Sequence, residues 1–403
     1  MQNHPTISVA TLYNTSLSAP VGPSRNIGRI YSNKKLFAGE GISLLGPYCP
    51  AVAVDRNVSD VPKEHKQSVS NSIKRTLRKT VGGNLFLFWY TQVRNSNKVV
   101  KQLVNENSRV DLVVIRDLVT AYTYAKSKLT IPYIIVMHND GSENMFFSDS
   151  AFPKLSKKPF GNLLTYIFNY AYRNAAGILF LSEVAVNKFK SNHPDIQCTF
   201  GIYHQGLSMP ECVNRLEIAK SSILYVTVGT VSKRKNQSAI IRSLANLSDK
   251  NAKLVIVGDG DDLAECKLLA ESLGIGGRVI FTGKLDNVGD ALGCADVYVS
   301  ASFDEGLSNA AVEAMSWSMP LILTDVGASR DLIADNGYLI PCGDDESLLS
   351  AMEAFVQKPD ELRLMGEASR RLYKRYYTVE KMCLEHAGMY RRTYLANKSM
   401  NNE

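Results

Sequence analysis

Long apolar runs are missing from this chain. The densest, Leu85-Phe-Leu-Phe-Trp-Tyr90, stops at six residues, far short of the roughly 18 that cross a bilayer, and reads as a buried strand. Paired cysteines are missing as well. Seven cysteines (49, 198, 212, 266, 294, 342 and 383) are scattered with no Cys-x-x-Cys among them. That excludes zinc-ribbon spacing, and an odd count fits a reducing compartment better than a disulfide framework. The opening Met-Gln-Asn-His-Pro-Thr lacks the basic-then-apolar order of a signal peptide, so a cytoplasmic location is expected. The Gly-x-Gly-x-x-Gly fingerprint of NAD sites is absent. No aromatic-studded basic motif accompanies the positive charge, so no nucleic-acid partner is expected.

What remains is an ordinary globular composition, 45% hydrophobic and 21% charged over 403 residues, long enough for two cores. Apolar strand-like segments alternate with helical ones. In the second half the strands fall at Ile223–Gly229, Lys253–Gly258, Arg278–Gly283, Asp296–Ser300, Pro320–Thr324 and Tyr338–Pro341. The first half repeats the pattern less cleanly, from Ile7–Tyr13 to Gly177–Ser182. Such alternation specifies α/β architecture with parallel, doubly wound sheets. Two tandem Rossmann-like domains are expected, 1–206 and 207–378, facing a central cleft at the carboxyl ends of their strands. A final helical segment, 379–403, is expected to cross back to the first domain.

Charge divides the chain. Residues 1–200 hold 24 Lys/Arg against 12 Asp/Glu, and residues 201–403 hold 22 against 27. The positive excess peaks between Lys63 and Lys79, where Ile73 and Leu77 share one helical stripe ringed by cations. A segment of this kind suits an anionic membrane surface as well as a solvated helix face.

One stretch stands apart, Ser302-Phe-Asp-Glu-Gly-Leu-Ser-Asn-Ala-Ala-Val-Glu313. It runs from a strand through a tight turn into a helix. Backbone N–H groups of Gly306, Leu307, Ser308 and Asn309 at that helix start suit phosphate or sugar oxygens. Glu305 and Glu313 flank them as hydroxyl readers, although each alone also fits a surface position. Arg234 and Lys235 precede another helix start, where cations would neutralise a diphosphate. His138 ends a first-domain strand, and Gly22 sits in a small-residue turn after the first strand.

Together these motifs resemble the retaining glycosyltransferases of family four, which have the GT-B fold. The likeness is concentrated in Ile223 to Pro341, where the Gly-x5-Lys stretch, the Val-Gly-Asp-Gly turn, Phe-Thr-Gly283 and the Glu-x7-Glu motif occur in family order. The resemblance implies Glu305 on the donor hexose, Glu313 on the nucleotide ribose, and Lys235 on the diphosphate. It implies His138 beside the transferred sugar, Gly22 in the N-terminal glycine loop, and Lys284 near the base. Where the family often has arginine after the first glycine, this chain has Thr230, and Arg234 is the substitute. The implied function is transfer of a hexose from a nucleotide-sugar, UDP-linked or GDP-linked, to a lipid-linked or oligosaccharide acceptor in surface polysaccharide synthesis. Neither a metal nor another cofactor is expected, and the enzyme would work peripherally at the membrane. A nucleotide-sugar epimerase, a phosphorylase of the same fold or a non-catalytic partner are the competing readings.

Overall fold

The computed structural model describes residues 6–15, 22–49, 76–105, 109–138, 152, 155, 159–219 and 222–400. The chain forms two compact units. The first comprises Met1–His204 with Met382–Glu403, the second Gln205–Lys381. In the first, the order is β1 (Ile7–Leu12), α1 (Gly22–Ser32), α2 (Lys34–Gly39), β2 (Ile42–Tyr48), α3 (Val81–Phe88), a π-helical turn (Trp89–Val93) and α4 (Arg94–Asn105). It continues with β3 (Leu112–Ile115), α5 (Leu118–Ala125), β4 (Tyr133–Val136), α6 (Phe160–Arg173), β5 (Gly177–Phe180), α7 (Glu183–Asn192) and β6 (Thr199–Ile202). The second unit runs β7 (Leu224–Val228), α8 (Gln237–Asn246), β8 (Lys253–Val257), α9 (Leu263–Ser272), β9 (Val279–Gly283), α10 (Gly289–Leu292), β10 (Val297–Ser300) and α11 (Asn309–Ser316). It closes with β11 (Leu321–Thr324), α12 (Ser329–Leu332), β12 (Gly337–Ile340), α13 (Asp345–Gln357) and α14 (Pro359–Tyr376), after which α15 (Val379–Met400) leads into the first unit.

Both sheets are six-stranded and their strand pairs are parallel. The first has the order β2-β1-β3-β4-β5-β6 and the second β12-β11-β10-β7-β8-β9. In each, the strand order reverses once, between β1 and β3 and between β7 and β10. Loops at the carboxyl ends diverge at such a reversal and leave a crevice, which is where doubly wound folds bind ligands.

Parallel sheets are buried on both faces, and the strands read accordingly. Alternate residues of β7 and β10 serve opposite layers. Tyr225, Val297 and Val299 join one apolar cluster with α8 and α13, while Val226 and Tyr298 join another with α11. In the first unit, α15 covers part of the sheet. Its Met389 and Thr393 lie where a Cβ on Gly201 or Gly177 would stand, 2.6 and 3.0 Å away.

Two sequence expectations fail here. Leu85–Tyr90 is no strand. It is helical, spanning α3 and the π turn, and starts from Thr80, whose hydroxyl accepts the Gly83 N–H at 3.0 Å. A short apolar run has no periodicity to separate strand from helix, and the cap decides. Strand β6 went unseen, since Thr199–Ile202 is a short edge strand with no fully buried residue to mark it. The basic segment expected from Lys63 falls, up to Arg75, outside the described residues.

Candidate functional site

The second unit's reversal point gathers most of the expected residues. Strand β7 ends at Gly229, whose N–H donates to Val257 O at 2.9 Å. Its neighbour β8 ends at Gly258, with φ +141, where a Cβ would lie 1.8 Å from Gly229 O. Only glycine fits so close a crossing, so the Gly-Asp-Gly turn is a packing requirement of adjacent strand ends. After β7 the chain turns through Ser232, whose carbonyl accepts the N–H groups of Lys235 and Asn236 at 2.9 and 3.0 Å. Asn236 takes a left-handed φ of +51 and opens α8.

This turn is laced to the loop after β10. Phe303 N–H donates to Arg234 O at 2.8 Å, and Arg234 Nη1 donates to Asp304 O at 2.5 Å. Lys235 Nζ makes an ion pair with Glu305 Oε1. Arg234 Nη1 lies 3.8 Å from Glu305 Oε2, and Ser302 Oγ donates to Oε1 at 3.3 Å. The Glu305 and Lys235 side chains are only 11% and 16% exposed, while Arg234 is 48% exposed. The carboxylate is thus held from one side by a shielded lysine and from the other by a solvated arginine.

A second brace comes from the loop after β11. Ala328 N–H donates to Gly306 O at 2.8 Å. Gly327, with φ +54, leaves 1.8 Å between a Cβ and Glu305 O, so that position requires glycine for conformation and for space. Ser308 caps α11 by accepting the Ala311 N–H. The remaining first-turn N–H groups of the helix have no intrahelical carbonyl to donate to. Glu313 lies one turn inside α11. Burial raises the pKa of Tyr298, and the negative charges of Glu305 and Glu313 act in the same direction.

The structure therefore brings together Arg234, Lys235, Glu305, Gly306, Leu307, Ser308, Asn309 and Glu313. Among the described residues Lys284 makes no hydrogen bond or ion pair with them. That residue stands exposed after the edge strand β9, two strands from β7. Asp259 and Asp261 have Asp-x-Asp spacing, but Asp259 Oδ1 accepts the N–H of its neighbour Gly260 at 2.8 Å. Among the described residues no group of three His, Cys, Asp or Glu is set to hold a metal ion.

The first unit's reversal point is built differently. Gly22 is the first residue of α1, and the residues just before it lie outside those described. Arg116 follows β3 and is 4% exposed. Its Nη1 donates to Asn26 Oδ1 and lies 3.5 Å from His138 Nε2, while its Nε has no partner. Tyr203 Oη lies 2.9 Å from His138 Nδ1 and donates to Met137 O at 3.3 Å. These contacts fix the tautomer. Arginine offers only donors, so Nε2 faces it as a lone pair; Nδ1 then carries the proton and donates to Tyr203. Burial first, and the Arg116 charge second, hold the His138 pKa well below its ordinary value. The imidazole is neutral, with an acceptor at Nε2. His386 of α15 is fully buried and lies tilted against Tyr203 at 4.6 Å between ring centres; burial first, then the charges of Arg116 and His138, hold it neutral.

Beside Arg116, Asp117 caps α5. Its carboxylate accepts the Thr120 N–H at 2.7 Å and the Asn14 amide at 2.9 Å. Burial nevertheless pushes its pKa up to about 6. Sequence reasoning missed Arg116, Asp117 and Tyr203. All three follow strands at the carboxyl end, the position that had singled out His138. His386 left no such signal.

Comparison with known proteins follows this division. Residues 209–372 match the family model of glycosyl transferases group 1. The N-acetyl-alpha-D-glucosaminyl L-malate synthase of Bacillus anthracis is 27% identical over 203 residues, 49% of this chain and 53% of that one. An alpha-1,4-N-acetyl-D-galactosaminyltransferase of Campylobacter jejuni, named for the substrate GalNAc-alpha-(1->4)-GalNAc-alpha-(1->3)-diNAcBac-PP-undecaprenol, is 32% identical over 136 residues, 32% of this chain and 37% of that one. The chain thus matches about half the length of such relatives, or less. Among solved structures, Anabaena Alr3699/HepE in complex with UDP superposes with a TM-score of 0.65 at 14% identity, covering 95% of this chain and 99% of that one. The fold is GT-B.

Proposed function

We propose, from the match of residues 209–372 to the family model of glycosyl transferases group 1, that this protein transfers a hexose from a nucleotide-diphosphate sugar to a glycan acceptor, with retention of configuration. The observation that carries the reading is the Lys235–Glu305 pair at the β7/β10 reversal, with Arg234 beside it and the start of α11 in the same loop. Bond breaking between the sugar's anomeric carbon and the diphosphate oxygen leaves positive character on the ring and negative charge on the leaving group. Lys235, Arg234 and the N–H groups of Gly306 to Asn309 stabilise that growing negative charge. Glu305 reads hydroxyls of the sugar, Glu313 those of the ribose, and Lys284 lies toward the base. The acceptor oxygen forms the new bond to the anomeric carbon, and its proton leaves on the departing diphosphate oxygen. His138, held neutral, stands beside the transferred sugar, where Nε2 takes a sugar hydroxyl by exchanging its 3.5 Å contact with Arg116, and Gly22 allows a phosphate or sugar close to the backbone.

The HepE complex contains UDP, which supports a UDP-hexose as donor ahead of GDP. The Campylobacter relative's named substrate carries diphospho-undecaprenol, which supports a lipid-linked acceptor in bacterial surface-glycan synthesis. No helix among the described residues is long and apolar enough to cross a membrane, and the positive first half suits contact with an anionic one from the cytoplasmic side. In this reading cationic side chains carry the charge that a metal would otherwise carry. A panel of UDP-, GDP- and ADP-hexoses tests donor use directly, and turnover undiminished in EDTA is the expected result. If Lys235→Ala and Glu305→Ala both leave transfer intact, the site assignment is wrong.

A further inference from the structure

Helix α3 and the π turn after it are apolar on both sides. Leu87 and Phe88 face the core, at 6% and 8% exposure, but Phe86, Trp89 and Tyr90 are 52%, 53% and 47% exposed. The spacing of three and four residues puts those three rings on one stripe, and Phe86 stacks with Tyr90 at 6.0 Å. An all-round apolar helix normally lies in a protein core or in lipid; this one presents half its surface to solvent. The turn packs against α5, and α5 packs against α6. On α6, Leu163 and Tyr166 are 54% and 52% exposed, and Tyr122 of α5 meets Tyr166 and Tyr170 at 6.5 and 5.5 Å.

The charge on these elements is of one sign. From Thr76 to Asn105 and from Leu118 to His138 there is no Asp or Glu, and α6 has none. Arg78, Lys79, Lys98 and Lys101 are exposed beside the aromatic stripe, Arg94 lies 4.9 Å from the Tyr90 ring, and Lys126 lies 4.0 Å from that of Tyr170. Trp and Tyr rings with an apolar body and a polar tip settle at the boundary between headgroups and acyl chains. Lysines and arginines around them are drawn to anionic headgroups. A protein partner's surface would meet this face with acidic groups at fixed points; a lipid surface supplies them everywhere. We propose that the face formed by α3, the π turn, α5 and α6 docks on an anionic membrane, with Phe86, Trp89 and Tyr90 inserted at the headgroup boundary. This rests on the membrane part of the reading above, and not on its chemistry.

The chain has two tryptophans, Trp89 and Trp317, so full-length protein carrying Trp317→Phe reports from Trp89 alone. With vesicles of phosphatidylglycerol and phosphatidylcholine, Trp89 emission is expected to shift to the blue and to be quenched by brominated acyl chains. Vesicles of phosphatidylcholine alone are expected to do neither. Phe86→Ser, Trp89→Ser and Tyr90→Ser combined in otherwise native protein should weaken co-sedimentation with the anionic vesicles by roughly tenfold or more. Lys98→Glu with Lys101→Glu should weaken it several-fold through charge alone. UDP binding, followed by thermal shift, is expected to be unchanged in both variants, which separates failure of docking from failure of the donor reading. Unchanged Trp89 emission with anionic vesicles overturns the proposal. So does a serine variant that sediments as before, or one that turns a dimer into a monomer, since the face would then belong to a second copy of the chain.

Discussion

The two strand-order reversals place charge in opposite ways. At β7/β10 the cation and the carboxylate meet, and Lys235 and Glu305 neutralise each other at the mouth of a loop. At β1/β3 the buried Arg116 meets amide, phenol and imidazole, and no carboxylate is in an ion pair with it among the described residues. Under the proposed function the first arrangement is exchangeable, because an arriving diphosphate would take over the lysine and release the carboxylate to the sugar. The second is fixed, because a donor-only side chain holds a histidine in one tautomer. One unit has a charge pair, and the other a neutral imidazole held in one orientation by Arg116 and Tyr203.

The sharpest way to break this contrast is Lys235→Ala, which should lower kcat/KM by roughly 10²–10³-fold if the lysine meets leaving-group charge. A Lys235→Met, Glu305→Gln double variant should keep thermal stability near that of the parent while transfer stays lost, since no charge is left shielded and unpaired. Arg116→Met tests the fixed side. It frees the His138 tautomer and should cost up to about 10²-fold in kcat with little change in donor KM; Arg116→Lys, also a donor, should restore part of it. Arg234→Ala should cost only about tenfold, because a half-exposed charged contact is worth little more than about 1.4 kcal/mol. Thr230→Arg in that background is expected to recover activity if charge at the turn is what matters.

The smallest effect is on stability against pH, and it belongs to the first unit. The folded pKa values of His138 and His386 lie below the ordinary 6.5, so the unfolded chain takes up protons first. Their contribution is full above 6.5 and is lost progressively as the pH falls from there through the lower folded pKa values. Asp117 acts in the opposite direction. Its pKa rises from 3.8 to about 6, so its contribution is present below 3.8 and is lost as the pH rises through about 6. His386→Phe should therefore flatten the acid-side loss, and Asp117→Asn the other, as followed by Trp89 fluorescence in urea titrations across this window.

The same contrast explains what could be read from sequence. In the second unit the site residues lie within a few positions of a strand end or on the helix that follows it, so Lys235 after β7 and Glu305 after β10 were visible as local patterns. Strands β7 to β10 are short and closed by glycine or serine. In the first unit the informative partners are distant in sequence. Arg116 reaches Asn26 across 90 positions and His138 across 22, and no local spacing announces either. Helix α3 was misread because its exposed and buried faces are equally apolar, which erases the period that distinguishes helix from strand.

Helix α15 has a consequence for how the molecule is made. Its residues from Met382 onward belong to the first unit, where Met382, Cys383, His386, Met389 and Tyr390 are buried. The second unit is one continuous stretch, Gln205–Lys381. During synthesis the ribosome therefore delivers all of the second unit before it delivers the helix that covers Gly177 and Gly201. Domains complete as units while the chain emerges, so here the part begun first is finished last. A nascent chain stalled near Lys381 should carry a protease-resistant second unit beside a first that is still cleavable.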